Sequence, residues 1–240
     1  MAGHSKWANI KHRKDRADKK KGKIFSRVAK EIISATKLGG PDPKSNPRLR
    51  LALQKARIVN MPNDNIERNI KKASSADQAD YHELTYELYG HGGVGIIVDV
   101  MTDNKNRISS EMRIATNKRG GTIANPGSVA FNFDRKGVLQ ISKKNAIEDE
   151  LFLASTEAGA EDFEATDDAF IITTDPSQLY AVRDAINHLG FDCEEAELEM
   201  IPKVYVECDT EIAKENFALI DWLEDLEDVD AVYHNMKAPE

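Results

Sequence analysis
His4, Lys6, Trp7, Lys11, Arg13, Lys14, Arg16, Lys19, Lys20 and Lys21 crowd the first 21 residues of the chain. Lys and Arg neutralise phosphates and release counterions, so such a cluster supplies affinity for a polyanion without choosing a base sequence. Trp7 can stack on a base, enter a groove, or pin the arm to the rest of the fold. His4 and His12 add hydrogen-bond donors more readily than they ligate a metal. Lys23 and Arg27 continue the charge into the next segment. A second basic group is Lys105, Arg107, Arg113, Lys118 and Arg119, leading into the loop Gly120–Ser128. Glycines there let backbone N–H groups approach a phosphate. A charged helix beside a long connection explains the same residues.

The other reactive types are dispersed. The six His include no pair at helical ligand spacing, and Cys193 and Cys208 match no CxxC pattern. Metal sites and a disulfide framework are not expected. Gly90-His91-Gly92-Gly93-Val94-Gly95 fits G-x-G-x-x-G, but Ile96-Ile97-Val98 follows. A dinucleotide fingerprint needs a helix there, so the reading is a glycine-rich hairpin turn. No phosphate loop of the G-x-x-x-x-G-K-[ST] type and no G-x-S-x-G turn occur. Pairs such as Asp167-Asp168 suit turns and solvated helix ends. No acid–base constellation stands out. The expectation is a protein with no catalytic residues, no metal and no cofactor.

Charge is partitioned along the 240 residues. Residues 1–75 hold 20 Lys or Arg against 6 Asp or Glu, a balance of +14, whereas the remainder stands at −22 and the whole at −8. The basic part points to nucleic acid; the acidic part repels it and helps orient the basic end. It also offers a second surface for a protein partner. No run approaches the ~18 apolar residues of a membrane span, and the N-terminus lacks the apolar stretch of a signal peptide. A cytoplasmic location follows as the expectation.

The elements that must position these residues follow from periodicity. Ile24, Val28 and Ile32, with Phe25, Ala29 and Ile33 beside them, predict a helix from Lys23 to Gly39-Gly40, leaving Lys23, Arg27, Lys30 and Lys37 for its other side. Helices follow from Pro47 to about Val59 and from Pro62 to Lys72, completing a small bundle. Residues 74–80 read as a linker. Glu83–Tyr89 and Val94–Met101 predict a hairpin. Asn104 or Asp103 caps a helix carrying Ile108, Met112 and Ala115, and Val129, Phe131 and Phe133 alternate as a strand. Val138–Ile141, Ala146–Ala158, Asp162–Thr166, Ala169–Thr174, a helix opened by a cap at Asp175-Pro176-Ser177-Gln178, and Ala196–Met200 give βαββαβ, a ferredoxin-like unit. Val204–Cys208, a helix with Ile212, Phe217, Ile220 and Leu223, and Val229–His234 form half a unit. It completes the half at 83–133. The fold class is α+β: an N-terminal helical bundle plus two ferredoxin-like α/β domains, one inserted into the other. The divisions are 1–78, then 79–134 with 203–240, and 135–202 inserted.

Met1-Ala2-Gly3-His4-Ser5-Lys6-Trp7-Ala8-Asn9-Ile10 resembles the opening of the YebC family. So do Met61-Pro62-Asn63-Asp64-Asn65-Ile66-Glu67-Arg68, Tyr86-Glu87-Leu88-Tyr89-Gly90, Asn104–Arg107, Gly127-Ser128-Val129, Leu226-Glu227-Asp228-Val229 and Val232-Tyr233-His234-Asn235. The resemblance runs essentially end to end. It implies a non-enzymatic DNA-binding transcriptional regulator with a helical N-terminal domain and two α/β domains. The alternative it carries is a ribosome-associated translation factor that grips rRNA through the same basic surface.

Overall fold
The computed structural model describes residues 21–73, 80–237 and 239. Among them are seven α-helices and two four-stranded antiparallel sheets, an α+β fold. The described residues divide into two compact units: 21–73, 80–129 and 208–234 form one, and 130–207 with 235–237 form the other.

In the first unit, α1 (Lys21–Gly39), α2 (Pro47–Ile58) and α3 (Asn63–Ala73) follow the apolar spacing. Val28, Ile32 and Ala35 of α1 pack with Leu49, Ala52 and Ala56 of α2 and with Met61. Asn46 starts α2, its side chain accepting from the Leu49 N–H at 3.0 Å, with Pro47 in the first position where a missing N–H costs nothing. The expectation that Lys30 lies on the solvent side of α1 is overturned: only 7% of it is exposed.

The same unit holds a sheet in which the strands stand in the order Thr122–Ile123, His82–Tyr89, Gly95–Thr102 and Val229–His234. Strands β1 (His82–Tyr89) and β2 (Gly95–Thr102) form the hairpin. Its turn passes through Gly92 and Gly93 at φ 66° and 80°, a region L side chains enter only under strain. The strand that follows the glycines excludes the dinucleotide geometry. Helix α4 (Lys105–Arg119) is capped by Asn104, whose side chain accepts from the N–H groups of Asn106 and Arg107. The third strand is not Val129–Phe133. It is β3 (Thr122–Ile123), paired with Leu88 and Tyr89. Ala130–Asn132 is a single 3-10 turn, and Phe131 is 72% exposed. Alternation over three residues does not distinguish a strand from a turn whose aromatic faces solvent.

The second unit carries β4 (Phe133–Ser142), α5 (Glu148–Glu157), β5 (Asp162–Ala165), β6 (Ala169–Thr174), α6 (Leu179–His188) and β7 (Cys193–Pro202). The order β5-β6-β4-β7 is that of a ferredoxin-like sheet. Leu139, Ile141, Phe170 and Ile172 meet Leu151, Leu179, Val182 and Ile186 in its core. The cap expected before α6 does not form: Gln178 makes no side-chain capping bond, and Asp175 instead closes a turn on Ser177. Beyond it, β8 (Val206–Glu207) is shorter than the predicted Val204–Cys208 and pairs in parallel with β10 (Met236–Lys237).

The chain re-enters the first unit with α7 (Thr210–Asp225) and β9 (Val229–His234), which adds to β2. Both halves of that sheet therefore come from segments that flank residues 130–207 in the sequence. Helices α4 and α7 pack against each other and bury Ile108, Met112, Leu219 and Leu223.

Candidate nucleic-acid interface
His4, Lys6, Trp7, Lys11, Arg13, Lys14, Arg16, Lys19 and Lys20 lie outside the described residues, and Lys21 opens α1. The remaining candidates separate into two groups with different electrostatic fates.

The first group turns inward. Lys23, Arg27 and Lys30 sit at i, i+4 and i+7 on one side of α1. Lys23 Nζ donates to the carbonyls of Glu224 and, at 2.7 Å, Leu226, at the C-terminal end of α7. A cation suits the negative end of a helix dipole. Arg27 lies 3.4 Å from Glu31 and 4.0 Å from Asp230. Lys30 Nζ donates to Asp228 Oδ1 at 3.1 Å and to the carbonyls of Met101 and Glu227, each at 3.2 Å. Asp228 also accepts from Thr102 Oγ1 at 2.8 Å and from Arg107 Nη2 at 2.5 Å. Burial pushes the Asp228 carboxyl up, but the hydrogen bonds from Arg107, Thr102 and Lys30 outweigh it and hold the group below its ordinary value. The same pairing, with a second contact to Asp103, raises the Arg107 guanidinium further above its usual value. Lys23, Arg27 and Arg107, which the sequence reading assigned to a polyanion, thus have anionic or carbonyl partners within their own unit. Lys23, Arg27 and Lys30 fasten α1 to the end of α7 and the start of β9, and Arg107 joins α4 to the same Asp228.

The second group faces solvent. Lys105, Arg113 and Lys118 of α4 are exposed and make no ion pair among the described residues. They do not form one stripe: at 100° per residue, Arg113 stands about 80° around the helix from Lys105 and Lys118 about 140° from each. Arg119 is occupied by Trp222, its guanidinium carbon 5.2 Å from the ring centroid. A tighter set lies on the bundle. Arg50 and Arg57 project from α2 seven residues apart, Arg68 and Lys71 from α3 three apart, all exposed and without an ion-pair partner among the described residues. These four are not among the candidates drawn from the sequence. Their signal was present, since each falls outside the apolar stripe, but so do Arg48 and Lys55, which pair with Glu83 and Glu31. Spacing shows which cations are outside the core, not which find a carboxylate.

The Gly120–Ser128 loop is held by the protein itself. Glu87, 7% exposed, accepts from the N–H groups of Gly127 and Val129, each at 2.6 Å. The Ala124 N–H donates to the Glu87 carbonyl at 2.8 Å, and Tyr89 Oη donates to the Ser128 carbonyl at 2.8 Å. The loop's start meets the hairpin turn, where the His91 ring nitrogen Nε2 contacts the Arg119 carbonyl at 2.8 Å and Nδ1 lies 3.1 Å from Glu215. A Cβ at Gly120 would run into the His91 ring. Backbone donors expected to meet phosphate are therefore spent on a carboxylate. Among the described residues, no group of three His, Cys, Asp or Glu is arranged to hold a metal ion, and no helix is long and apolar enough to cross a membrane.

The N-terminal domain of the TACO1/YebC protein matches residues 5–76, and the TACO1/YebC second and third domain matches residues 81–236. The chain belongs to the TACO1/YebC family. A family relative from Protochlamydia amoebophila, named a probable transcriptional regulatory protein, is 82% identical over 240 residues, covering 100% of this chain and 98% of its own. One from Chlamydia pneumoniae, with the same description, is 59% identical over 237 residues, 98% of this chain and 100% of its own. A crystal structure of a conserved hypothetical protein from Aquifex aeolicus is similar at TM-score 0.82 and 40% identity, covering 92% of each chain. The curated relatives carry the name of a probable transcriptional regulatory protein.

Proposed function
We propose that this TACO1/YebC protein is a non-enzymatic, cytoplasmic regulator of transcription that grips the phosphate backbone of DNA through its basic N-terminal domain. In this reading residues 1–78 are the nucleic-acid domain, 79–134 with 203–240 a split α/β domain, and 135–202 an inserted one. The contact is the arm of residues 1–21 together with the solvent faces of α2 and α3. The observation that supports it is the contrast among cations: Lys23, Arg27 and Lys30 are consumed in docking α1, whereas Arg50, Arg57, Arg68 and Lys71 remain exposed without a partner among the described residues. Four exposed cations without carboxylates leave their charge available to an external polyanion.

The test is salt-dependent binding of duplex DNA, single-stranded RNA and ribosomal particles by the full chain. For DNA, log affinity falls with log salt at about −0.9 per phosphate contacted, so reversing all four residues (R50E, R57E, R68E, K71E) should weaken binding and flatten the slope by about 3 to 4. Reversal at Lys19, Lys20 and Lys21 should act the same way. Arg50, Arg57, Arg68 and Lys71 are exposed and make no ion pair among the described residues, so the melting transition of the quadruple variant should persist. Unchanged affinity and slope in the quadruple variant would remove the bundle as the contact. Preferential binding to ribosomal particles would move the target from DNA to rRNA.

A further inference from the structure
The outer side of α5 carries apolar residues that packing within its own unit does not explain. Leu151, Ala154 and Ser155 are buried, whereas Phe152 and Leu153 are 52% and 59% exposed. Leu153 is turned about 160° around the helix from Leu151. Phe152 lies edge-on to Phe163 with ring centroids 5.4 Å apart, and Phe163 stacks on Phe170 at 5.5 Å. The exposed ring therefore stands on a packed aromatic base. Glu150 and Glu157 are seven residues apart, so they share one row beside Leu153 about 10.5 Å long. Both are exposed and make no ion pair among the described residues. A carboxylate in the first turn suits the helix dipole, but Glu157 sits in the last turn, where it is disfavoured.

Helix α2 presents the converse pattern. Arg50 and Arg57 are also seven apart and form a row of the same length, exposed and without an ion pair among the described residues. Leu51 and Ile58, 39% and 45% exposed, form a second row about 100° further round. The surroundings have opposite signs. Residues 21–73 hold 13 Lys or Arg against 4 Asp or Glu, and residues 130–207 hold 6 against 18. Both patches are exposed within the chain, so an occupant for either comes from outside it. The chemistry that fits α5 is an apolar ridge flanked by cations, and a second copy of this chain carries one.

We propose that α5 of one copy docks on α2 of a second copy, with Phe152 and Leu153 against Leu51 and Ile58 and with Glu150 and Glu157 paired to Arg50 and Arg57. Equal spacing lets both ion pairs form at once and sets the register. The contact joins two different surfaces, so it propagates head to tail into rings or filaments instead of closing as a two-fold dimer. A contact between two helices buries less than a standard interface, so association is weak and sensitive to salt. One consequence rests on the nucleic-acid reading above. The contact covers Arg50 and Arg57, so assembly and DNA binding exclude each other.

The experiment is sedimentation of the full chain, freed of nucleic acid, in dilute buffer from about 1 μM to about 1 mM. The average mass should rise past that of a dimer with concentration and fall back on adding salt, a response that needs no variant. The pair R50E with R57E, and separately the pair E150R with E157R, should each lower the association constant about tenfold or more. Mixing the two variant proteins should restore association, because each then meets an opposite row. L153S should weaken association without changing any charge. The proposal is overturned if the chain stays monomeric throughout, if the mass stops at a dimer, if both reversals associate as before, or if mixing restores nothing. Duplex DNA at saturation should return the assembly to single chains. Assembly that bound DNA leaves intact would sink the bundle as the DNA contact and leave this interface standing. DNA binding without assembly would do the reverse.

Discussion

Replacing Asp228 by Asn is the sharpest test of how this protein is held together. The carboxylate is 2% exposed and collects Lys30, Thr102 and Arg107. Asn keeps the shape and removes the charge. Arg107 loses little, since it is 41% exposed and keeps Asp103 at 2.7 Å. Lys30 loses much more: its side chain is 9% exposed, and two carbonyls at 3.2 Å and the Tyr81 ring, 5.9 Å from Nζ, are neutral partners that do not replace the counter-ion. Leaving a buried charge without its counter-ion costs about 3–5 kcal/mol. Lys30→Met should cost less, because Asp228 retains Arg107 and Thr102. The double variant should then be less destabilised than the sum of the two, by about 1–3 kcal/mol. Urea unfolding at pH 7 measures the stabilities, and hydrogen exchange in α1 shows where protection is lost. The sign with pH is also set. A carboxyl held below its ordinary value stabilises the fold above the unfolded-state value and loses that contribution as pH falls through its depressed native value. Asp228→Asn should abolish this acid limb. A cost below about 1 kcal/mol, or strict additivity with Lys30→Met, would refute the argument that this ion network docks the helices.

Two further outcomes follow from buried carboxylates. Burial pushes Asp230 up to about 6, against the opposing pull of Arg27. A raised carboxyl contributes fully below the unfolded value of about 3.9 and loses that contribution as pH rises to about 6, so Asp230→Asn should stabilise the protein at pH 7 by about 2–3 kcal/mol and flatten its stability between pH 4 and 6. A stability profile that still falls across that window would assign the titration elsewhere. Glu87→Gln retains one acceptor oxygen for two backbone donors, now at 2.6 Å, and should cost about 1.5–3 kcal/mol. Exchange of the Gly127 and Val129 amides should accelerate, whereas unchanged exchange would mean that Glu87 does not anchor the loop.

Much of the fold was legible because its signals are local. The Ile24–Ile33 stripe, Asn46-Pro47, the Gly90–Gly93 turn and the Asn104 cap each specify a conformation through near neighbours. The βαββαβ order needs only period and turn chemistry. Errors arose where the signal was too short. Val129–Phe133 alternates over three apolar residues yet contains a 3-10 turn, and Asp175 closed its own turn instead of capping a helix.

The interface was less legible because a cation's fate is decided at long range. Lys30 and Arg50 have the same charge, and both sit on helices of one bundle. Only the chain's return through α7 and β9 brings Asp228 to Lys30, 198 positions away, while Arg50 stays in water.

Sequence alone determined the element types, the charge partition and the family resemblance, because each is carried by residue identity over short spacing. Tertiary structure alone decided which positive groups are spent as internal counter-ions, since Coulomb attraction and desolvation depend on distance through space and on burial.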